Sequence, residues 1–183
     1  TGQPVIEQDE RGVIVYAQNS SWDKACLEGY YIYKHDEPRA ANGYDADVHT
    51  LGARVFGDLG DQWKYVVEAA PQFGERNGEQ VHAFGFRSEA RYFVLDDYNN
   101  NFRAEYEFLS GDDPGSSTDE SFDLLWGRWP QFSELLAYTV GLENRPGEQT
   151  NLHRVNAGWT FKPHEKLEVC ADYNILFADE NSY

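Results

Sequence analysis

The chain has 183 residues, the size of one domain, and carries 15 Lys and Arg against 32 Asp and Glu, a formal net charge of -17. So acidic a chain is repelled by phosphate backbones, which argues against nucleic acid as a partner. Its longest uninterrupted apolar run is five residues, 13–17, whereas a membrane-spanning helix needs about 20. With 40% hydrophobic and 15% aromatic residues, the chain is too apolar for a disordered acidic tail, and we expect one ordered domain over residues 1–183.

Apolar residues recur with a period of two from residue 51 onward, which is the pattern of β-strands. The segment 102–108, for example, alternates apolar residues with Arg103, Glu105 and Glu107. Most of these segments are longer than the roughly 5 to 6 residues usual in soluble domains and approach the 9 to 11 of a strand that crosses a bilayer. No stretch has the pattern of an amphipathic helix. We predict an all-β chain with strands at 11–18, 27–36, 46–58, 62–74, 81–96, 101–110, 134–144, 150–162 and 166–178.

The predicted connections fall into two lengths. Short turns rich in Gly, Asn, Asp or Pro are expected at 58–61, 96–100 and 163–165. Longer loops are expected at 35–45, 74–80, 111–131 and 144–149. Short turns at one rim and long loops at the other are typical of outer-membrane β-barrels.

The direction of the strands leaves one inconsistency. Strands 101–110 and 134–144 would run the same way, so an oppositely directed segment is missing between them. Residues 119–129 are the material available, and they should form either a short tenth strand or a loop folded into the lumen. Their apolar side chains are too costly to leave in water, and these are Phe122, Leu124, Leu125, Trp126 and Trp129.

Strands with one apolar face and one charged face admit two architectures. In a soluble sandwich the apolar faces of two sheets pack together. In a transmembrane barrel the apolar face contacts lipid and the charged face lines water. Strand length and loop asymmetry favour the barrel. Aromatic residues that could form interfacial girdles, or instead pack in a sandwich core, are Trp63, Tyr98, Tyr30, Tyr31 and Tyr33.

The second half of the chain carries specific sequence motifs, among them LSGDDP, WGRWPQ and LFADEN. Over residues 25–183 the chain resembles the alginate export family of bacterial outer-membrane proteins. The resemblance implies a large antiparallel transmembrane barrel, of the type with 18 strands, that passes an anionic polysaccharide. Nine or ten strands are about half of such a barrel, so we expect the chain to be part of one.

Candidate pore-lining residues are the cationic side chains that fall on the polar face at mid-strand. Cationic rings select anions in pores, and a guanidinium pairs bidentately with a carboxylate. Alternatively, these cations only neutralise the acids of the same face. The candidates are Arg54, Lys64, Arg87, Arg91, Arg103 and Arg154, with Glu68, Glu89, Glu105, Glu107 and Asp172 as the acids.

Other candidate sites are weaker. Arg128 lies between Trp126 and Trp129, where it could contact sugar rings or anchor a loop. Glu105 and Glu107 are spaced like paired glycosidase carboxylates, but no partner motif supports catalysis. The acidic loop could bind Ca²⁺, although we expect its carboxylates to be solvated; they are Asp112, Asp113, Asp119, Glu120 and Asp123.

These observations predict a channel rather than an enzyme, with no cofactor, metal or catalytic residue. The chain should reside in the bacterial outer membrane and act as a porin for passive passage of an alginate-like polyuronate or acidic oligosaccharide. Its expected partners are that saccharide, outer-membrane lipid and periplasmic export components. The competing hypothesis is a secreted soluble β-sandwich that binds carbohydrate.

Overall fold

The computed structural model describes residues 9–37, 45–126 and 150–180, and these contain eight β-strands. No helix long and apolar enough to cross a membrane occurs in these ranges. The strands are β1 Asp9–Trp22, β2 Ala25–Glu37, β3 Ala46–Leu59, β4 Trp63–Arg76, β5 Glu79–Phe93, β6 Asn101–Leu109, β7 Leu152–His164 and β8 Leu167–Phe177. Eight of the nine predicted strands are thereby confirmed, and the ninth, 134–144, lies outside the described residues.

All eight strands join one antiparallel sheet in sequence order, from β1 at one edge to β8 at the other. The strands are 9 to 15 residues long, which suits a strand that crosses a bilayer of ordinary thickness. A soluble sandwich would instead divide its strands between two sheets packed face to face. The all-β antiparallel prediction is therefore confirmed, and the open sheet is consistent with part of a barrel.

Short turns occupy one rim of the sheet, here called the turn rim. They lie at residues 23–24, 60–62, 94–100 and 165–166, and the last three are close to the predicted positions. The longer loop predicted at 74–80 was wrong, because only Asn77 and Gly78 separate β4 from β5. Both have positive φ, 52° and 85°, as a two-residue hairpin turn that follows the twist of its strands requires.

Residues 111–126, here called the strap, leave the end of β6 at the opposite rim and cross one face of the sheet. Just before the strap, the Ser110 amide donates to the Phe84 carbonyl oxygen of β5. Within the strap, the Asp119 carbonyl oxygen accepts from the His82 amide of β5. Farther along, the Trp126 ring lies against Gly12 of β1, at the other edge of the sheet. This is the inward-folded loop that was one of the two alternatives for 119–129, although Trp129 lies outside the described residues.

The predicted inconsistency of strand direction does not arise between β6 and β7. These two strands pair directly and antiparallel, with Glu107 opposite Arg154. The predicted strand 134–144 lies outside the described residues, so the oppositely directed segment expected before it stays a prediction.

The small buried core lies between the strap and the sheet. Val48 and Val81 are fully buried and stand in one row, with Gly74 between them. The Phe122 ring of the strap covers Gly85, where an added Cβ would come within 2.7 Å of two ring atoms. Apolar burial thus comes from a loop folded on the polar face, whereas the apolar face of the sheet remains largely uncovered.

Candidate functional site: the charged face of the sheet

The two faces of the sheet separate the residue types as the alternation predicted. Directly opposed residues of antiparallel strands project to the same side, so the registers assign every strand position. One face, here called the polar face, carries Arg54, Arg87, Arg103, Glu105, Arg154 and Asp172. The opposite face, here called the apolar face, carries Tyr65, Phe84, Tyr92, Tyr106, Trp159 and Tyr173.

A row of alternating charge crosses six neighbouring strands on the polar face. Each member stands directly opposite the next, from β2 to β7, and we call this row the charge ladder. Opposite charges placed directly across a strand pair stabilise the pair, whereas like charges destabilise it. The sequence of the ladder therefore favours this register over one shifted by two residues. Its members are Glu28, Arg54, Glu68, Arg87, Glu107 and Arg154.

Next to the ladder, two acids of the polar face oppose each other. Glu89 and Glu105 are directly paired across β5 and β6, an arrangement that repels by itself. Arg87 resolves the repulsion, because its Nε donates to Glu105 at 2.8 Å and its Nη2 to Glu89 at 3.3 Å. Arg91 adds a second bond to Glu89 at 3.0 Å. The acids are thus held by guanidinium groups on both sides.

Arg154 is the most buried member of the ladder. Its side chain is 5% exposed, and its Nε and Nη2 lie 2.8 Å from Glu107 and Glu105. Its Nη1 also donates to the amide oxygen of Asn174 at 3.3 Å. These three acceptors offset the loss of water around the buried guanidinium.

Arg103 and Arg54 complete the set of arginines. Arg103 donates to Asn156 at 3.1 Å and forms a salt bridge with Asp172. Arg54 donates to Glu28 at 3.2 Å. The side chains of Arg54, Arg87, Arg91 and Arg103 nevertheless keep between 30% and 36% of their surface exposed. Each of these four can therefore still meet a ligand on the open side of the face.

The predicted alternative of mutual pairing describes these contacts. Five arginines face six carboxylates, so this part of the face is close to neutral and is not a purely cationic surface. The carboxylates are Glu28, Glu68, Glu89, Glu105, Glu107 and Asp172. Lys64 stands apart near the turn rim, 3.5 Å from Asp58. Arg128 lies outside the described residues.

A second cluster of charges holds the strap. Arg76 contacts Asp119 at 2.6 Å and Asp123 at 3.3 Å. Lys34 lies 2.9 Å from Asp36 and 3.5 Å from Asp123. The expectation that Asp119 and Asp123 are solvated was wrong, because their side chains are only 14% and 7% exposed. These acids attach the strap to β2 and β4.

Two residues of the strap itself show how its outer part is ordered. Glu120 accepts hydrogen bonds from the hydroxyl groups of Ser116, at 2.6 Å, and Thr118. These bonds lower the pKa of the Glu120 carboxyl. Burial raises the pKa of the neighbouring Asp112, with the charges of Asp119 and Glu120 adding to the effect.

The apolar face carries two belts of aromatic rings. Near the turn rim, Trp63, Tyr92, Phe102 and Trp159 follow one another in register across four strands. Near the opposite rim, where the strap begins, aromatic rings contact histidine rings in two groups, with centroids 4.7 to 5.3 Å apart. These groups are Tyr33, His49 and Phe73, and Phe108, His153 and Phe177.

The spacing of the belts can be estimated along β4. Trp63 and Phe73 are ten residues apart on this strand. A rise of about 3.4 Å per residue and a tilt of about 40° place them roughly 26 Å apart along the barrel axis. That spacing matches the apolar band of about 25 Å that outer-membrane barrels present to lipid between two aromatic girdles.

Sequence reasoning missed several partners on the polar face. Glu28 escaped because Cys26, Tyr30 and Ile32 surround it on the same face and disguise the alternation. Tyr30 was grouped with the girdle residues Tyr31 and Tyr33, which was wrong, because it points to the polar face. Its own position in the two-residue period carried that information.

The comparisons with known proteins agree with this geometry. The model of the family described as alginate export matches residues 5–177 of the chain. The chain belongs to the alginate export family. This is a family of outer-membrane β-barrel transporters and not of enzymes, so membership supports a role in the export of alginate or another polysaccharide. No curated protein shows a significant match to the chain.

Proposed function

We propose that this member of the alginate export family is an outer-membrane channel for passive passage of an acidic polysaccharide. The observation that carries the proposal is the sidedness of the sheet. One face has the aromatic belts and spacing of a lipid-facing wall, and the other has a charge ladder whose arginines remain open on one side. Such a sheet separates hydrocarbon from a water-filled lumen.

The apolar face fits lipid because the described part of the chain leaves its side chains largely uncovered. Val67, Phe84, Val155, Tyr173 and Ile175 each leave more than a third of their surface uncovered. In water such an area would be costly, and in hydrocarbon it is not. We therefore place residues of the apolar face against outer-membrane lipid and assign the chain to the bacterial outer membrane.

The polar face supports transport by exchange of ion-pair partners. A saccharide carboxylate that approaches Arg87 can bond to the exposed part of its guanidinium while Glu105 and Glu89 stay in place or withdraw. These acids also compete with the saccharide, which keeps each contact short-lived. Passage through a pore needs binding that is favourable enough to admit the ligand and weak enough to release it.

The test is single-channel recording of the full-length protein in planar bilayers. Polyuronate should block the ionic current more strongly than neutral dextran of equal length, and high salt should weaken this difference by screening. Replacing Arg87, Arg91 and Arg103 with Gln should remove most of the difference. Lys162→Gln is the control for each single Arg→Gln substitution, because it removes one positive charge near the turn rim, where Lys162 pairs with Glu168 at 3.2 Å.

A change of opposite sign sharpens the test. Glu107→Gln removes an acid that bonds to Arg154 and stands directly opposite Arg87, so polyuronate should block this variant for longer than the unaltered channel. Equal blockade by polyuronate and dextran in the unaltered protein would contradict an acidic substrate. No channel activity at all in well-inserted protein would contradict the transport function.

A further inference from the structure

Tyr30 is an aromatic residue on the polar face, at a distance from the strap. It lies in β2 directly opposite Gly52 of β3 and directly opposite Tyr16 of β1. The strap contacts β1 at Gly12, four residues from Tyr16 along the strand, or about 13 Å. Tyr30 and Tyr16 are thus two neighbouring rings on the charged face, and Tyr16 is 55% exposed.

The ring of Tyr30 lies flat on the sheet. A Cβ atom added to Gly52 would fall 1.9 Å from Cζ, 2.0 Å from Cε2 and 2.4 Å from the hydroxyl oxygen of Tyr30. These three distances place the point above the face of the ring and not at its edge. One ring face therefore packs on the backbone of β3, and the other is directed away from the sheet.

A hydrogen bond fixes this orientation. The Tyr30 hydroxyl donates to Oε1 of Glu68 on β4 at 2.7 Å, so the side chain spans from β2 across β3 to β4. Ring position is consequently determined at both ends, by the Tyr30 backbone and by Glu68. Only glycine at position 52 leaves room for this arrangement.

A cation stands beside the ring. Arg54 follows Gly52 by two residues on the same face of β3, about 7 Å along the strand. Its guanidinium bonds to Glu28 at 3.2 Å and also lies over the Phe56 ring, 4.8 Å from the centroid. The surface thus combines a fixed aromatic face with a partly exposed guanidinium on the same face of the sheet.

We propose that Tyr30 and Arg54 form a binding subsite for one uronate residue of the transported saccharide. The C–H groups of a pyranose face carry partial positive charge and pack on the negative face of an aromatic ring. The carboxylate of the same sugar reaches Arg54. This subsite deepens the proposed function and rests on it.

The test measures how long an acidic oligosaccharide blocks single channels of the full-length protein. Tyr30→Leu should shorten the mean block about threefold to tenfold, because an aromatic contact of this kind contributes of that order to binding. Gly52→Ala should have the same effect with the tyrosine still present, since the new methyl group displaces its ring. Tyr30→Phe should retain most of the residence time.

Tyr31→Leu is the matched control, because Tyr31 is the neighbouring residue on the apolar face. Salt separates the two components of the subsite: the effect of Tyr30→Leu should persist in 1 M salt, where screening is nearly complete, whereas that of Arg54→Gln should largely vanish. If the saccharide blocks the unaltered channel, and neither Tyr30→Leu nor Gly52→Ala changes the mean block time, the subsite alone is overturned. An unaltered channel that no saccharide blocks would overturn both the subsite and the proposed function.

Discussion

The charge ladder and the strap cluster use the same chemistry for different purposes. Arg87 of the ladder bonds to two acids and keeps 35% of its side chain exposed. Arg76 of the strap cluster also bonds to two acids, but its side chain is only 14% exposed. Its partners Asp119 and Asp123 are 14% and 7% exposed. The two arginines therefore differ in their own exposure, whereas their acids are similarly buried, since Glu105 and Glu89 are 6% and 13% exposed.

Burial decides what each arginine can do. A partly exposed guanidinium is screened by water and stays within reach of a passing carboxylate. A buried pair contributes through the penalty of breaking it, since the remaining charge has no water to return to. The ladder is thus suited to transient contact, and the strap cluster to holding a loop on the sheet.

The largest expected effect follows from breaking the strap cluster. Arg76→Gln leaves Asp119 and Asp123 buried without their guanidinium, which should lower the free energy of strap opening by about 3 to 5 kcal/mol. Hydrogen exchange of residues 119–126 measures this. Arg87→Gln is the control and should change exchange in the strap by less than about 1 kcal/mol, because its bonds are to Glu105 and Glu89 of the sheet. Equal effects of the two substitutions would contradict the comparison.

Arg154 tests whether burial, and not position in the ladder, is the cause. It belongs to the ladder but is as buried as the strap cluster. Arg154→Gln should therefore lower the free energy of unfolding of the barrel by about 3 kcal/mol. The heat-induced mobility shift in gels measures this unfolding. Arg91→Gln should cost under about 1 kcal/mol, because the Arg91 side chain is 35% exposed and Glu89 keeps its bond to Arg87. A smaller loss for Arg154 than for Arg91 would reverse our interpretation.

A smaller effect is expected at the turn between β4 and β5, which lies beside the strap cluster. Gly78→Ala forces a side chain into a backbone with φ of 85°, at a cost of about 1 to 2 kcal/mol. Exchange should rise at the adjoining ends of β4 and β5 and not at the ladder. Gly29→Ala is the control, since its added Cβ would make only an ordinary contact, 3.9 Å from the Gly52 carbonyl oxygen.

The smallest effect concerns pH. Hydrogen bonds from Ser116 and Thr118 lower the pKa of Glu120, so their stabilisation of the strap is present above the unfolded pKa of about 4.3 and is lost as pH falls through the folded value. Ser116→Ala should move the pKa of Glu120 back toward 4.3, as NMR titration would show. A pKa that does not rise would mean that Ser116 plays no part in lowering it.

The strands beyond residue 51 were predictable because they carry long runs of period-two alternation. The hairpin at Asn77 and Gly78 was missed although Asn-Gly is a strong turn signal; the glycines and charges around it suggested a longer loop. Faces were predictable for Arg87 or Tyr92, which follow the period, and the error at Tyr30 came from grouping it with its neighbours Tyr31 and Tyr33.

Contacts distant in sequence were the part that could not be predicted. Gln72 donates to the backbone oxygen of Asp123, 51 residues away, and Arg76 reaches Asp119 over 43 residues. Nothing local to either segment encodes these pairs, because the strap must first fold back over the sheet. Similarly, the neutrality of the ladder depends on strand register, which single strands do not reveal.

The sidedness of the sheet is the central claim, and thiol labelling tests it most directly. Cys26 and Cys170 are unpaired and would first be replaced by Ser in the full-length protein. Arg87→Cys or Ser88→Cys then introduces a single thiol into this background. These adjacent residues of β5 lie on the polar and the apolar face respectively. A charged thiol reagent added to the aqueous phase should modify Arg87→Cys and alter the channel current, while Ser88→Cys in the bilayer stays unmodified. Equal labelling of both, or labelling of Ser88→Cys alone, would contradict the account.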